Sequence, residues 1–356
     1  MEVKTPTLLV DEAKCRRNIQ MMLNKAEEAE ASLRPHFKTH HSATIAEWFR
    51  DYGIAQCTAS SVSMAAYFAQ HGWKDITIAF PYNPLEHQEI SALAEKVNLN
   101  ILIESEEILD HAKKHLKNAV GYFIKIDVGY HRTGIDHRDE RAIKSLVSQS
   151  GDPLLFKGFL AHAGQTYGAG TIEDIRWIYA QAEKTLRQLK EKFGGIISYG
   201  DTPSCSTLDN LSAYDELRPG NFIFYDWMQR EIGSCSIEDI AVCMACPVVA
   251  LHPERNEVVV YGGAVHLSKD SLSYKHGRYF GKAVNLTERG WSTEVIGTVD
   301  RVSQEHGIVK MLNNEMADIK VGDLIGVIPV HSCLTADIQG HYLSTSGERI
   351  EKITKT

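Results

Sequence analysis

The sequence predicts a closed parallel β/α barrel followed by a smaller antiparallel β domain. Three observations carry this reading. From about residue 30 to residue 225, short apolar segments alternate with amphipathic helical patterns until eight strand candidates have accumulated. Eight such units favour a closed barrel over an open doubly wound sheet. Most of the segments are apolar throughout instead of alternating, as strands covered on both faces are. From Ile240 onward the texture changes to short extended runs broken by Gly, Pro and Asn313-Asn314, with hardly a helical pattern, which reads as a separate antiparallel unit.

Taken in order, residues 7–10 form a short strand entered through Thr5-Pro6, and Asp11 caps a helix over 12–30 with apolar positions at Ile19, Met22 and Leu23. The strand candidates that follow are 33–37, 54–58, 76–80, 99–103, 122–126, 155–160, 196–199 and 222–225. Helical patterns lie between them at 44–52, 61–71, 84–96, 105–116, 140–148 and 172–193, with a shorter one near 206–214. In the last third, extended runs are predicted at 242–250, 257–261, 293–302, 307–311 and 324–329. The domain reading is a barrel over 11–235 and a β domain over 236–356, joined by the N-terminal strand 1–10.

Composition narrows the function classes. The 356 residues are 43% hydrophobic and 24% charged, as in an ordinary globular protein. A net charge of -8 argues against nucleic acid or an anionic membrane as the main partner. No apolar run approaches the roughly 20 residues needed to cross a bilayer, and Met1-Glu2-Val3-Lys4 lacks the apolar core of a signal peptide. Seven scattered cysteines do not read as a disulfide framework. The expectation is a cytoplasmic protein with reduced thiols, and Cys243-Met-Ala-Cys246 reads as two buried thiols within an apolar run.

In a barrel of this kind chemistry gathers at the C-terminal ends of the strands. The first strand runs through Arg34-Pro35-His36-Phe37 into Lys38, with Thr39, His40 and His41 beside it. Alone, Lys38 reads as one of the chain's many solvated lysines; at a strand mouth among polar groups it sits where a Schiff-base amine belongs. The predicted seventh strand ends in Gly200-Asp201-Thr202-Pro203-Ser204, and Gly220 and Asn221 accompany the eighth, where barrels often hold a phosphate. Glycine lets backbone N–H groups approach an anion, and Thr202 and Ser204 add hydroxyls; turn chemistry alone would explain the loop equally well. A phosphate-tethered aldehyde joined to lysine is pyridoxal 5'-phosphate.

Six motifs then coincide in order: Thr5-Pro-Thr-Leu-Leu-Val-Asp11, Arg34-Pro-His-Phe-Lys-Thr-His40, Asp127-Val-Gly-Tyr-His-Arg-Thr-Gly134, His162-Ala-Gly164, Gly200-Asp-Thr-Pro-Ser204 and Ser303-Gln-Glu-His-Gly307. Together, from Thr5 to about Asp337, they resemble the D-serine dehydratase and D-threonine aldolase family of fold-type III, alanine-racemase-like enzymes. The resemblance implies that Lys38 carries the cofactor and later removes the substrate's Cα proton. It places Arg132 beside the cofactor ring or the substrate carboxylate and Tyr167 near the ring nitrogen. His162, Gly200, Thr202, Ser204, Gly220, Asn221 and Tyr225 complete the expected cofactor-binding set, and a head-to-tail homodimer is the expected assembly.

The last motif is His331-Ser332-Cys333. Ligands at i and i+2 of an extended segment share a face, and imidazole with thiolate favours Zn²⁺ over Mg²⁺ or Ca²⁺. The pair matches the family's metal position, with Mn²⁺ as the alternative ion. Cysteine at the second ligand is what the family's D-serine dehydratases carry, and 3-hydroxy-D-aspartate dehydratases share it, whereas D-threonine aldolases usually carry aspartate. The reading is a pyridoxal-phosphate- and zinc-dependent lyase that eliminates the β-hydroxyl of a D-amino acid, D-serine or a close analogue, to give a keto acid and ammonia. Retro-aldol cleavage of the D-threonine type is the alternative. A racemase and a non-catalytic cofactor carrier account less well for the metal pair. His306 reads as a support for the metal ligands or as a turn residue, and the role of His266 stays open.

Overall fold

The computed structural model describes residues 3–274, 277–312 and 316–353; the predicted Asn313-Asn314 break and both chain ends lie outside the described residues. The chain forms two compact units, one of Gln20–Lys38 and Ala46–Gly220, the other of Met1–Ile19, Thr39–Ile45 and Asn221–Thr356. No described helix is long and apolar enough to cross a membrane.

The first unit is an eight-stranded parallel barrel. Ser32–Leu33, Glu216–Leu217, Ile196–Tyr199, Leu154–Ala161, Val120–Asp127, Asn98–Ile103, Asp75–Pro81 and Gln56–Ala59 pair in that order around the sheet. A parallel bridge from His36 to Thr58 joins the first strand to the last and closes the ring. Pro35 has no N–H to give, so the first strand pairs in two short pieces on either side of it. The predicted helices appear as Ala43–Arg50, Val62–Gln70, His87–Ala94, Glu106–His115, Glu140–Ser148 and Ile172–Phe193. Serine at 61 and 105, Asp139 and Thr171 each accept a hydrogen bond from the backbone of the first turn, which is why these helices start where they do.

Two expectations are corrected. Residues 222–225 are not the eighth strand: Phe224 N–H and Tyr225 N–H both donate to Asn221 O, curling the apolar run into a 3₁₀ turn. The eighth strand is Glu216–Leu217, upstream of Pro219-Gly220, so Arg218 and Gly220 follow a strand instead of preceding one. Likewise the short helix is Thr202–Thr207, started by Asp201 accepting from Ser204 N–H at 2.7 Å, and 208–214 carries no helix.

The N-terminal ends of the barrel strands are tied by charge. The buried Arg34 guanidinium pairs with Glu216 at 2.6 Å and Asp75 at 2.5 Å, and donates to Gln56 Oε1 at 3.0 Å. One residue before Lys38, Phe37 packs into an aromatic nest of Phe49, Phe68 and Trp73, with centroids 4.8–5.2 Å away. That anchors the chain where it turns toward the strand mouth.

The second unit is built on a nine-stranded sheet. Glu257–Tyr261, His306–Met311, Gly290–Val302, Gly281–Thr287, Leu324–Pro329 and Val242–His252 follow one another antiparallel, and the last pairs back to the first, closing a ring. Thr7–Val10 adds to Val242–His252, and His341–Ser344 and Arg349–Glu351 extend the edge. Cys243 and Cys246 are fully buried free thiols in this sheet. Helices Ala264–Leu267 and Ser332–Ile338, and strand Gly281–Thr287, escaped the sequence reading.

Candidate functional site

The barrel strands' C-terminal ends assemble a cationic mouth. Lys38, Lys125, Arg132 and Arg218 all act there. Burial, with Lys38, Arg132 and Arg218 nearby, depresses His162 to about 3. Burial and then Arg218 lower Lys125 to about 8, with Arg132 adding and Glu104 and Asp127 opposing. Arg218 itself is drawn down to about 10, first by burial. Its guanidinium donates to Ser198 Oγ at 2.6 Å and to Ala161 O at 2.7 Å, so it is fixed across the ends of neighbouring strands.

His162 is neutral and oriented. Its Nδ1 lies 2.5 Å from Gly200 O; a carbonyl only accepts, so Nδ1 carries the proton and Nε2 keeps its lone pair. The loop that presents Arg132 is organised by Asp127, whose carboxylate accepts from Gly129 N–H, His131 N–H and His131 Nδ1. Arg132 is exposed, its guanidinium over the Tyr130 ring at 5.1 Å. The same ring lies on Gly164, where an added Cβ would stand 2.4 Å from it, a physical reason for glycine in His162-Ala-Gly164.

The predicted phosphate loop is tied by internal hydrogen bonds. Asp201 accepts from Ser204 N–H and from Thr166 Oγ1 at 2.9 Å, and Thr202 N–H donates to the Tyr167 hydroxyl at 3.3 Å. The Thr202 hydroxyl is buried with no hydrogen-bond partner among the described residues. Ser204 is turned inward, 3.3 Å from Tyr199 OH. Excess positive charge and an unpartnered hydroxyl at a strand mouth are what an anionic ligand would complete, so the residues fit a phosphorylated, lysine-linked cofactor.

The second unit holds the His331–Cys333 pair. They do not lie on an extended segment: His331 is the extended N-cap residue and Cys333 stands in the first turn of helix Ser332–Ile338. Asp226 fixes that turn by accepting from Ser332 N–H at 2.9 Å and Ser332 Oγ at 3.1 Å. His331 Nδ1 is 2.6 Å from Asp270, and its ring also reaches Cys333. Burial lowers its pKa, but Asp270 and then Cys333 outweigh that and raise it to about 11. Thr39 Oγ1 lies 3.3 Å and Asn221 Nδ2 3.4 Å from Cys333 Sγ. A carboxylate behind a ligating imidazole and hydrogen bonds to a thiolate are the ordinary outer supports of a metal site, so this donor set fits a zinc-class ion.

Asn221, expected at the phosphate, gives its side-chain N–H groups to Asp226, Ser332 and Cys333. Tyr225 is buried, with φ +48°. Asp270, Asp226, Lys125 and Arg218 have no role in the sequence reading, and their contacts come from the structure alone. His306 is exposed, and Ser303-Gln304-Glu305 instead supplies carbonyls to the backbone N–H groups of Gly262, Ala264 and Val265. A Cβ on Gly263 would meet two of those carbonyls at 2.5 Å, so that motif and the glycine pair form one close-packed turn. The His266 ring lies 3.7 Å from Glu305.

A parallel β/α barrel with a lysine at its first strand end, together with a separate, mostly antiparallel β unit, is the alanine-racemase-like class of architecture. The alanine racemase N-terminal domain family matches residues 10–226, and the family described as a putative serine dehydratase domain matches 241–345. The chain is 30% identical to the D-serine dehydratase of Dictyostelium discoideum, over 96% of this chain and 93% of that one. It is 26% identical to the D-threonine aldolase of an Arthrobacter species, over 92% and 86%. The solved D-threo-3-hydroxyaspartate dehydratase of a Delftia species superimposes with a TM-score of 0.91 at 23% identity, covering 99% and 98%. The chain belongs to the D-serine dehydratase family.

Proposed function

We propose that the protein is a pyridoxal-phosphate- and zinc-dependent lyase that removes the β-hydroxyl group of a small D-amino acid, D-serine or a near analogue, yielding a keto acid and ammonia. The observation that carries the proposal is the cationic mouth around Lys38, with neutral His162 and the unpartnered Thr202 hydroxyl. Lys38 Nζ would hold the cofactor aldehyde. The Thr202 hydroxyl and the Gly200–Gly220 side of the mouth would hold its phosphate, and Arg132 stands ready for a carboxylate. Bound there, the cofactor supplies an electron sink for negative charge at Cα, and an ion on His331 and Cys333 supplies a Lewis acid for the β-hydroxyl.

The chain's own groups divide the remaining work. Lys38 Nζ would take the Cα proton. His162, held neutral, adds no competing acid at the mouth. Asp270 holds the His331 ring through Nδ1, which would leave Nε2 for an ion, and Thr39 and Asn221 hydrogen-bond Cys333. Solved D-threo-3-hydroxyaspartate dehydratase structures include mutants of a histidine and of a cysteine two positions later, the latter in a metal-free form; that order and spacing supports the same use of His331 and Cys333. A homodimer and a cytoplasmic location belong to the same proposal.

Product analysis of the cofactor- and Zn²⁺-loaded enzyme tests it. Pyruvate from D-serine, or 2-oxobutyrate from D-threonine, released with ammonia and abolished by a chelator, is the expected result. Glycine and acetaldehyde from D-threonine would replace elimination with retro-aldol cleavage. Turnover of 3-hydroxyaspartate alone would move the substrate to an acidic analogue.

A further inference from the structure

The barrel unit carries a second group of metal-ligating side chains that the proposed reaction does not use. His111 and His115 lie four residues apart on helix Glu106–His115 and so share a face. Their rings stack with centroids 4.3 Å apart and planes at 23°. His87, at the start of helix His87–Ala94, brings its ring to 4.7 Å from His115 and 5.8 Å from His111. One ring nitrogen of each residue lies within 4.8 Å of the other two, and all three side chains are half-buried, open to entry from solvent.

The outer contacts of two rings favour ligation. His87 Nδ1 is 3.0 Å from Pro84 O, so it must carry the proton, and Nε2 presents its lone pair. His111 Nδ1 is 3.3 Å from the hydroxyl of the buried Tyr82, which can accept in the same way. Among the described residues no carboxylate forms an ion pair with any of the three.

We propose that His87, His111 and His115 bind a late first-row divalent cation, Zn²⁺ by preference, at a site separate from the His331–Cys333 pair. Three imidazoles select Zn²⁺, Ni²⁺ or Cu²⁺ over Mg²⁺ and Ca²⁺ and leave the fourth tetrahedral position to water. Zn–N bonds of about 2.0–2.1 Å require the nitrogens to close to roughly 3.4 Å of one another, which side-chain rotation can supply. The ion would staple the Pro84–Glu86 turn and the helix after it to the next helix, so its effect is on stability and not on the chemistry at Lys38.

The test is zinc content by mass spectrometry after Zn²⁺ loading and dialysis against micromolar Zn²⁺, in the wild-type holoenzyme, in H111Q/H115Q and in Cys333→Ala. H111Q/H115Q should lose one equivalent and keep wild-type turnover. Cys333→Ala should retain that equivalent and melt higher with Zn²⁺ than with EDTA, whereas adding H111Q/H115Q to it should remove the shift. Equal melting of wild type and H111Q/H115Q in EDTA would show that the variant is folded. A wild-type zinc count in folded H111Q/H115Q, or a Cys333→Ala protein holding no zinc, would overturn the proposal. If His331–Cys333 binds no metal, Cys333→Ala keeps the wild-type count while H111Q/H115Q still drops, so the two sites fail independently.

Discussion

At the residue scale the barrel mouth offers two amines, and they are not equivalent. Lys125 is buried, held to about 8, and its Nζ already donates to Ile126 O at 3.0 Å. Lys38 sits at the end of the first strand, half-buried and near the neutral His162. On the proposed function, borohydride trapping of the holoenzyme should mark the Lys38 peptide, and Lys38→Ala should abolish turnover. A label on Lys125 would refute that assignment. His162 gives a pH prediction whose sign is fixed. The unfolded chain takes up a proton on this histidine near 6.5, the folded protein only near 3. Between those values the unfolded state binds more protons, so stability is full above about pH 6.5 and declines as the pH falls, by up to about 1.4 kcal/mol per pH unit for this group. His40, fully buried and also depressed, adds in the same direction. Denaturant melts from pH 7.5 to 5 should show a shallower decline in His162→Gln than in wild type; parallel curves would contradict the assignment.

At the element scale an inconspicuous two-residue strand completes the barrel sheet. Glu216–Leu217 pairs on both sides, and the Glu216 carboxylate bonds Arg34 and, at 2.6 Å, Ser198 Oγ. Removing one partner of a buried ion pair strands the other charge, so Glu216→Ala should cost about 3–5 kcal/mol in denaturant unfolding; a loss below about 1 kcal/mol would mean that Asp75 alone satisfies Arg34. This strand also shows what the sequence could and could not reveal. Long β-branched runs such as 99–103 and capped amphipathic helices such as 172–193 announce themselves by local pattern. A two-residue strand stabilised by a charge from Arg34 has no apolar pattern, so the buried run 222–225 drew the assignment. The site divides the same way. Lys38, His162, Arg132, His331 and Cys333 enter the sequence reading as candidates because their motifs are contiguous. Asp270 behind His331, and Asn221 turned to Cys333, were not, because those contacts join residues 61 and 112 positions apart. The first turn of helix Ser332–Ile338 likewise depends on Asp226, 106 positions away.

At the scale of the whole molecule, the β unit is not a contiguous stretch of chain. Its strand Thr7–Val10 comes from the N-terminus and pairs with both Val242–His252 and His341–Ser344. Its segment 39–45 follows directly on Lys38 and is held by backbone and side-chain bonds: Tyr342 OH donates to His40 O at 2.6 Å, Ser42 Oγ to Glu351 O at 2.6 Å, and Ile353 N–H to His41 O at 2.7 Å. Thr39 of the same segment reaches Cys333. A fragment of residues 221–356 therefore lacks a central strand and the hydrogen-bond partners of three groups in its C-terminal segment, each bond contributing about 0.5–1.5 kcal/mol. Against a domain stability of about 5–15 kcal/mol, losing a strand as well is enough to prevent folding. The fragment should show no cooperative thermal transition and no native near-ultraviolet circular dichroism, while the full chain shows both. A fragment that melts cooperatively would mean that the closed ring of strands Val242–His252 to Leu324–Pro329 is stable alone, and that the N-terminal strand and the 39–45 segment are additions to the β unit and not part of its core.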